Sequence, residues 1–117
     1  MAHAVGARFK THHGLTVAAV LPYVLRFNRR RIARKMAAAA RFLDLPEPHF
    51  PGVMDWLVKL RAALDMPDTL AELGVRPEHI PMLVDLALAD ANAPANPVPL
   101  DRAGAERLFR WAISGKR

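Results

Sequence analysis

Residues 13–43, HGLTVAAVLPYVLRFNRRRIARKMAAAARFL, decide the fold class. Alanine and leucine dominate the stretch, and its β-branched residues are few and scattered. Apolar positions recur at helical rather than alternating spacing, which specifies helix. The pattern predicts one helix from His13 to about Asn28, with Thr11 as its N-cap. Pro22 falls inside it and should kink it. A second helix is predicted from about Arg30 to Phe42, with Ile32, Met36, Ala39, Ala40 and Leu43 on one face.

Working outward, residues 1–12 read as irregular, broken by Gly6 and polar residues. On the other side, LPEPHFPG (45–52) holds three prolines and a glycine and reads as a loop. A third helix is expected from about Val53 to Asp65, with Trp56, Leu57, Leu60, Ala63 and Leu64 as its apolar stripe; Pro67 stops it. Thr69-Leu-Ala-Glu72 has the form of a capping box for a short turn ending at Gly74. Pro77 suits the first turn of a fourth helix running to about Asp90, striped by Ile80, Leu83, Val84 and Ala87. After the rigid loop ANAPANPVP (91–99), Asp101 should cap a last helix to about Ile113, with Ala105, Leu108, Phe109 and Ala112 inward. The expected architecture is all-α, a bundle of five to six helices in one domain spanning 1–117.

The chain has 117 residues, 52% of them hydrophobic and 24% charged. That fits one small folded domain and argues against disorder, because there is enough apolar surface to offset the ordering entropy. There are no cysteines, so a disulfide scaffold, a thiolate zinc site and a cysteine nucleophile are excluded. The longest charge-free apolar run, Gly14 to Leu25, is twelve residues, short of the ~20 needed for a membrane span. No secretory signal is visible, and the expected compartment is the cytoplasm. Charge is uneven. Residues 1–43 hold nine Lys/Arg and no acid, while 44–117 hold eight Lys/Arg against eleven acids, giving the net +6. The first part either faces something anionic or has lost a partner that carried acids.

Few residue types here carry chemistry. His3, His12 and His13 cluster near the start. Imidazole binds iron, zinc, copper or nickel, but a site needs several ligands in a fixed geometry. By spacing alone these are either ligands or surface histidines at a helix start. His49 and His79 lie beside a proline or at a helix start and read as structural. Arg26, Arg29, Arg30, Arg31, Arg34 and Lys35 place six cations in ten residues. They could meet nucleic acid phosphates, but a solvated face is the simpler reading, since only Phe27 interleaves and no recognition motif is present. No phosphate-cradling glycine loop occurs, and the single serine, Ser114, excludes a triad at a defined site. Asp90, Asn92 and Asn96 read as a capping cluster in a loop.

The order of motifs resembles a known family. His3-Ala-Val-Gly6, then His13-Gly14, Leu21-Pro22 and Phe27-Asn28 resemble the second half of the metal site of iron-containing (group III) alcohol dehydrogenases. Met66–Val75, Ile80-Pro81, Ala87-Leu88, Asp90 and Asn96-Pro97 continue the resemblance to about residue 113. It covers only the C-terminal helical domain of that family, a dehydroquinate synthase-like fold. The resemblance implies His13 as a metal ligand and His3 as a catalytic histidine near nicotinamide and substrate, linked to proton relay. It also implies iron or zinc with NAD(P) in the full protein. The family's other ligands, an aspartate and two histidines, and its N-terminal dinucleotide-binding domain would lie before Met1.

Gly14 matches the glycine that lets the helix start pack closely. His12 replaces a frequent proline, and Val17 stands where many members have asparagine. Asn92 takes a variable position near the site. The expected function is therefore the metal- and substrate-site domain of an NAD(P) alcohol dehydrogenase, here a fragment, truncated form or split subunit that is inactive alone and binds neither metal nor NAD(H) tightly. Its expected partners are the nucleotide-binding domain or subunit and a second copy of itself, with no membrane. The alternatives are a stand-alone helical interaction module and a basic-helix nucleic-acid binder.

Overall fold

The computed structural model describes residues 1–116. Five helices carry the fold: α1 (Ala2–Phe9), α2 (His13–Phe42), α3 (Phe50–Ala63), α4 (Ile80–Ala89) and α5 (Arg102–Ser114). Single 3-10 turns lie at Ala71–Leu73, Pro77–His79 and Ala93–Ala95. There is no strand among the described residues, in keeping with the all-α expectation. Among the described residues no helix is long and apolar enough to cross a membrane.

The core sits where α1, α2, α4 and α5 meet. Its centre is Val5, Ala19, Tyr23, Leu83, Val84 and Phe109, all fully buried. The α4 stripe Ile80, Leu83, Val84 and Ala87 is buried as its period specifies, and so is the α5 stripe Ala105, Leu108, Phe109 and Ala112. Asp101 caps α5 by accepting from the Gly104 N–H at 2.7 Å. Around residue 69 the bonds of a capping box form. Glu72 Oε2 accepts from the Thr69 N–H at 2.8 Å, and Thr69 Oγ1 accepts from the Glu72 N–H at 3.4 Å. Gly74 then ends the turn with φ 90°.

Four local expectations are corrected. Residues 2–9 are helical rather than irregular, because Ala4 and Val5 bury against the core and the chain tolerates Gly6 mid-helix. This helix ends at Lys10, at φ 52°. Secondly, α2 is one helix of 30 residues, not two. Asn28 does not stop it. Its buried side chain donates from Nδ2 to Asn96 Oδ1 at 2.9 Å, and its Oδ1 accepts from Asn96 Nδ2 at 2.8 Å and from the Val98 N–H at 3.2 Å. Asn28 thus ties the 91–99 loop to the helix. Thirdly, the N-cap of α2 is His12, with no side-chain cap bond. Thr11 instead shares a hydroxyl bond with Thr16 at 2.5 Å.

The fourth correction concerns α3. Most of the predicted stripe faces outward, with Trp56 39%, Leu60 39% and Leu64 58% exposed and Leu57 half-buried. The buried positions are Phe50, Gly52, Val53 and Arg61. Pro51 lies in the first turn of α3 rather than in a loop. Gly52 lets that turn approach the 45–49 segment, since a Cβ there would lie 1.8 Å from the Glu47 carbonyl oxygen.

Arg61 explains how α3 binds α2. Pro22 has no N–H, so the Ala18 carbonyl four residues earlier loses its helical donor. Arg61, buried to 5% exposure, donates from Nη1 to Ala18 O at 2.8 Å and Ala19 O at 3.2 Å. Its Nη2 pairs with Asp68 Oδ1 at 2.5 Å. The guanidinium supplies the donor that the proline removes.

Candidate functional site

The site forms where α1, the start of α2 and the end of α4 converge. His3 stands in the first turn of α1, and His13 is the first residue of α2. The short turn between those helices folds the chain back, and the two imidazoles stack with centroids 5.7 Å apart and planes inclined by 25°. Residues ten apart in sequence thereby share one exposed edge of the domain. His12 immediately precedes His13 as the extended N-cap of α2. Its ring lies close to Gly14, where a Cβ would approach the imidazole to 3.2 Å.

Asp90 completes the group. It ends α4, and its two carboxylate oxygens do different things. Oδ1 accepts from the Asn92 N–H at 2.8 Å, a local turn. Oδ2 lies 2.8 Å from His3 Nδ1. The Asn92 N–H first, and the His3 hydrogen bond next, hold the Asp90 carboxyl below the usual carboxylate range. The half-buried α-amine of Met1 also faces this carboxylate, and burial lowers its pKa. Beside the pair opens a cavity of about 250 Å³, with Asn92 and Asn96 among its polar lining and Val24, Ala87, Leu100 and Leu108 as its apolar walls.

The sequence reading of Asp90, Asn92 and Asn96 as one capping cluster separates into three roles. Asn96 is bound to Asn28, Asn92 offers its backbone N–H, and Asp90 reaches across 87 positions to His3. No local signal in the sequence marks that last contact. His79 is structural, as expected. Its Nδ1 accepts from the Arg76 N–H at 2.9 Å, and its ring meets Phe9 edge-on at 4.9 Å. His49 stands at the start of α3 without a side-chain cap bond.

The basic run of α2 spends part of its charge on the fold. Arg26 stacks on Trp111 at 4.1 Å and donates to the Lys116 carbonyl at 3.1 Å. Arg29 lies over Phe50 at 4.9 Å. Arg30, Arg31, Arg34 and Lys35 remain exposed.

Among the described residues no three His, Asp or Glu side chains converge as a metal-binding group. The imidazole donors fit part of a metal site, not the whole of one. A borderline ion such as Zn(II) or Fe(II) accepts imidazole nitrogen, but a stable site needs further ligands that this group does not provide.

Comparison with known proteins defines the class. Residues 1–113 match the model of the Fe-containing alcohol dehydrogenase family, C-terminal. The chain belongs to this family and corresponds to its C-terminal helical domain. Among similar proteins is the NADPH-dependent butanol dehydrogenase of Clostridium saccharobutylicum, 30% identical over 98% of this chain and 32% of that protein. The lactaldehyde reductase of Escherichia coli K12 is 36% identical over 83% of this chain and 27% of its own length. A solved 1,3-propanediol oxidoreductase superposes with a TM-score of 0.87 at 26% identity, over 96% of this chain and 31% of that one. The chain therefore spans about a third of the length of the relatives it matches.

Proposed function

We propose that this chain is the metal- and substrate-site domain of a metal-dependent NAD(P) alcohol dehydrogenase. In this reading His13 gives one nitrogen ligand to an iron or zinc ion, and His3 carries or positions the proton of the alcohol. The remaining ligands and the dinucleotide come from a nucleotide-binding domain or subunit outside the 117 residues. The bound metal would supply Lewis acidity toward the alcohol oxygen. The observation that carries the reading is the stacking of His3 on His13 at an exposed edge, 5.7 Å apart. That edge leaves both rings open to a second domain. The unbalanced basic charge of residues 1–43 is consistent with a face made to meet one.

The reading expects the chain alone to bind neither metal nor NAD(P)H tightly and to turn over no short alcohol. It places the protein in the cytoplasm. The test is to join the chain to the nucleotide-binding domain of a family member and load it with Fe(II) or Zn(II). Aldehyde-dependent oxidation of NADH or NADPH should appear, and His13→Ala should abolish both metal retention and turnover. Metal retention unchanged in His13→Ala would remove the ligand role.

A second reading is a stand-alone interaction module. One observation favours it: α3 turns Trp56, Leu60 and Leu64 to solvent, and Phe42 nearby in sequence is 90% exposed. A second copy of the chain is the proposed occupant. Sedimentation of the purified chain tests it, with a dimer weakened by Trp56→Glu as the expected result.

A further inference from the structure

We propose that Asp90 is a positioning residue that holds His3 as its Nδ1–H tautomer, leaving the Nε2 lone pair free at the site. Nothing in the family resemblance assigns Asp90 a task. The geometry does.

Asp90 cannot easily turn away from His3. It closes α4 with φ −65° and ψ 132°, and its Oδ1 is already engaged by the Asn92 N–H at 2.8 Å. That leaves Oδ2 as the oxygen 2.8 Å from His3 Nδ1. An ionised carboxylate can only accept, so the hydrogen between them belongs to the imidazole. The same backbone N–H keeps the carboxyl in its ionised form at neutral pH. The other side of the ring is constrained as well, because it stacks on His13. The hydrogen bond made at one ring nitrogen fixes the tautomer, and here Nδ1 faces a carboxylate that can only accept, so Nδ1 carries the proton and Nε2 does not.

Neutral imidazole in water favours the opposite, Nε2–H tautomer. His79 illustrates that alternative within the same molecule, because its Nδ1 accepts from the Arg76 N–H and its proton must sit on Nε2. The chain therefore holds two histidines of opposite tautomer. The use of the free Nε2 as a proton acceptor for an alcohol rests on the functional reading above. The tautomer itself does not.

The experiment is a long-range ¹H–¹⁵N correlation spectrum of the 117-residue chain labelled with ¹⁵N-histidine. It is recorded at pH of about 8.5, roughly two units above the ordinary histidine pKa. His3→Gln identifies the His3 signals. The expected result is an Nδ1–H pattern for His3 beside an Nε2–H pattern for His79. In Asp90→Ala, His3 should change to mainly Nε2–H while His79 stays as it was. An Nε2–H pattern for His3 in the unaltered chain overturns the proposal, and so does an Nδ1–H pattern that survives Asp90→Ala.

If Asp90→Ala does not fold, the His79 pattern is lost with it, and the unaltered chain alone decides. No outcome depends on metal or turnover. An inactive fusion with the expected tautomers would remove the dehydrogenase reading and leave Asp90's role standing.

Discussion

Helices α5 and α3 are similar in length but join the fold by different physics. In α5 the apolar residues at helical spacing are the buried ones, and Phe109 at their centre is fully enclosed. In α3 most of the apolar stripe is exposed and an arginine is buried. A hydrophobic pattern predicts orientation when area burial is the main force holding a helix. It misleads when a specific polar bond is the anchor. Phe50 and Val53 help hold α3, but Arg61 sets which face turns in.

The comparison breaks first at its stronger side. Phe109→Ala should cost about 3–5 kcal/mol, because a large side chain leaves a cavity among well-packed neighbours. The urea midpoint of the chain should fall accordingly, and loss of helix at 25 °C would also agree. A change under about 1 kcal/mol would mean that the α4–α5 core is not the main source of stability.

On the other side, Arg61→Met should cost roughly 1–3 kcal/mol by leaving the Ala18 carbonyl, which Pro22 deprives of its helical donor, without a partner. Asp68 adds little to that figure, since its side chain is 54% exposed. The sharper test is the pair. Pro22→Ala restores a backbone N–H for Ala18, so Arg61→Met should cost less in that background. Purely additive effects would show that Arg61 does not act through the proline gap.

These contrasts also explain what the sequence made legible. The all-helical class, the α4 and α5 faces, the Asp101 cap and the turn at Gly74 all follow from short-range patterns, and the structure agrees. The continuity of α2 was hidden because Asn28 looks like a helix stop, whereas its amide is used by Asn96 and Val98 some seventy residues away. Helix α1 was hidden by Gly6, whose propensity cost of about 1 kcal/mol is offset by burial of Ala4 and Val5. At the candidate site, His3 and His13 were singled out by motif order, and the fold brings them together. Asp90 reads in the sequence as a loop cap and as one step of the family's motif order, but its bond to His3 is set by tertiary packing of α1 on α4 and has no local signal.

The exposed face of α3 offers a smaller effect. Trp56→Glu should lower monomer stability by only about 1 kcal/mol, since the side chain is 39% exposed and no closed cavity is left behind. Its effect should appear in association instead. A large loss of stability at a concentration where the chain is monomeric would mean that Trp56 belongs to the core after all.

The smallest expected effect is the pH dependence contributed by Asp90. Its folded pKa is lowered, by the Asn92 N–H first and by the His3 bond next. A lowered carboxyl pKa gives stability that is fully present above the unfolded value of about 3.9 and is lost as the pH falls through the folded value. Asp90→Ala should therefore lower the urea midpoint at neutral pH and converge with the unaltered chain under acid. The partly exposed setting keeps the difference small. A gap that widens below pH of about 4 would have the wrong sign for a carboxylate held by donors, and would exclude both the Asn92 N–H and the His3 bond as the source of Asp90's contribution.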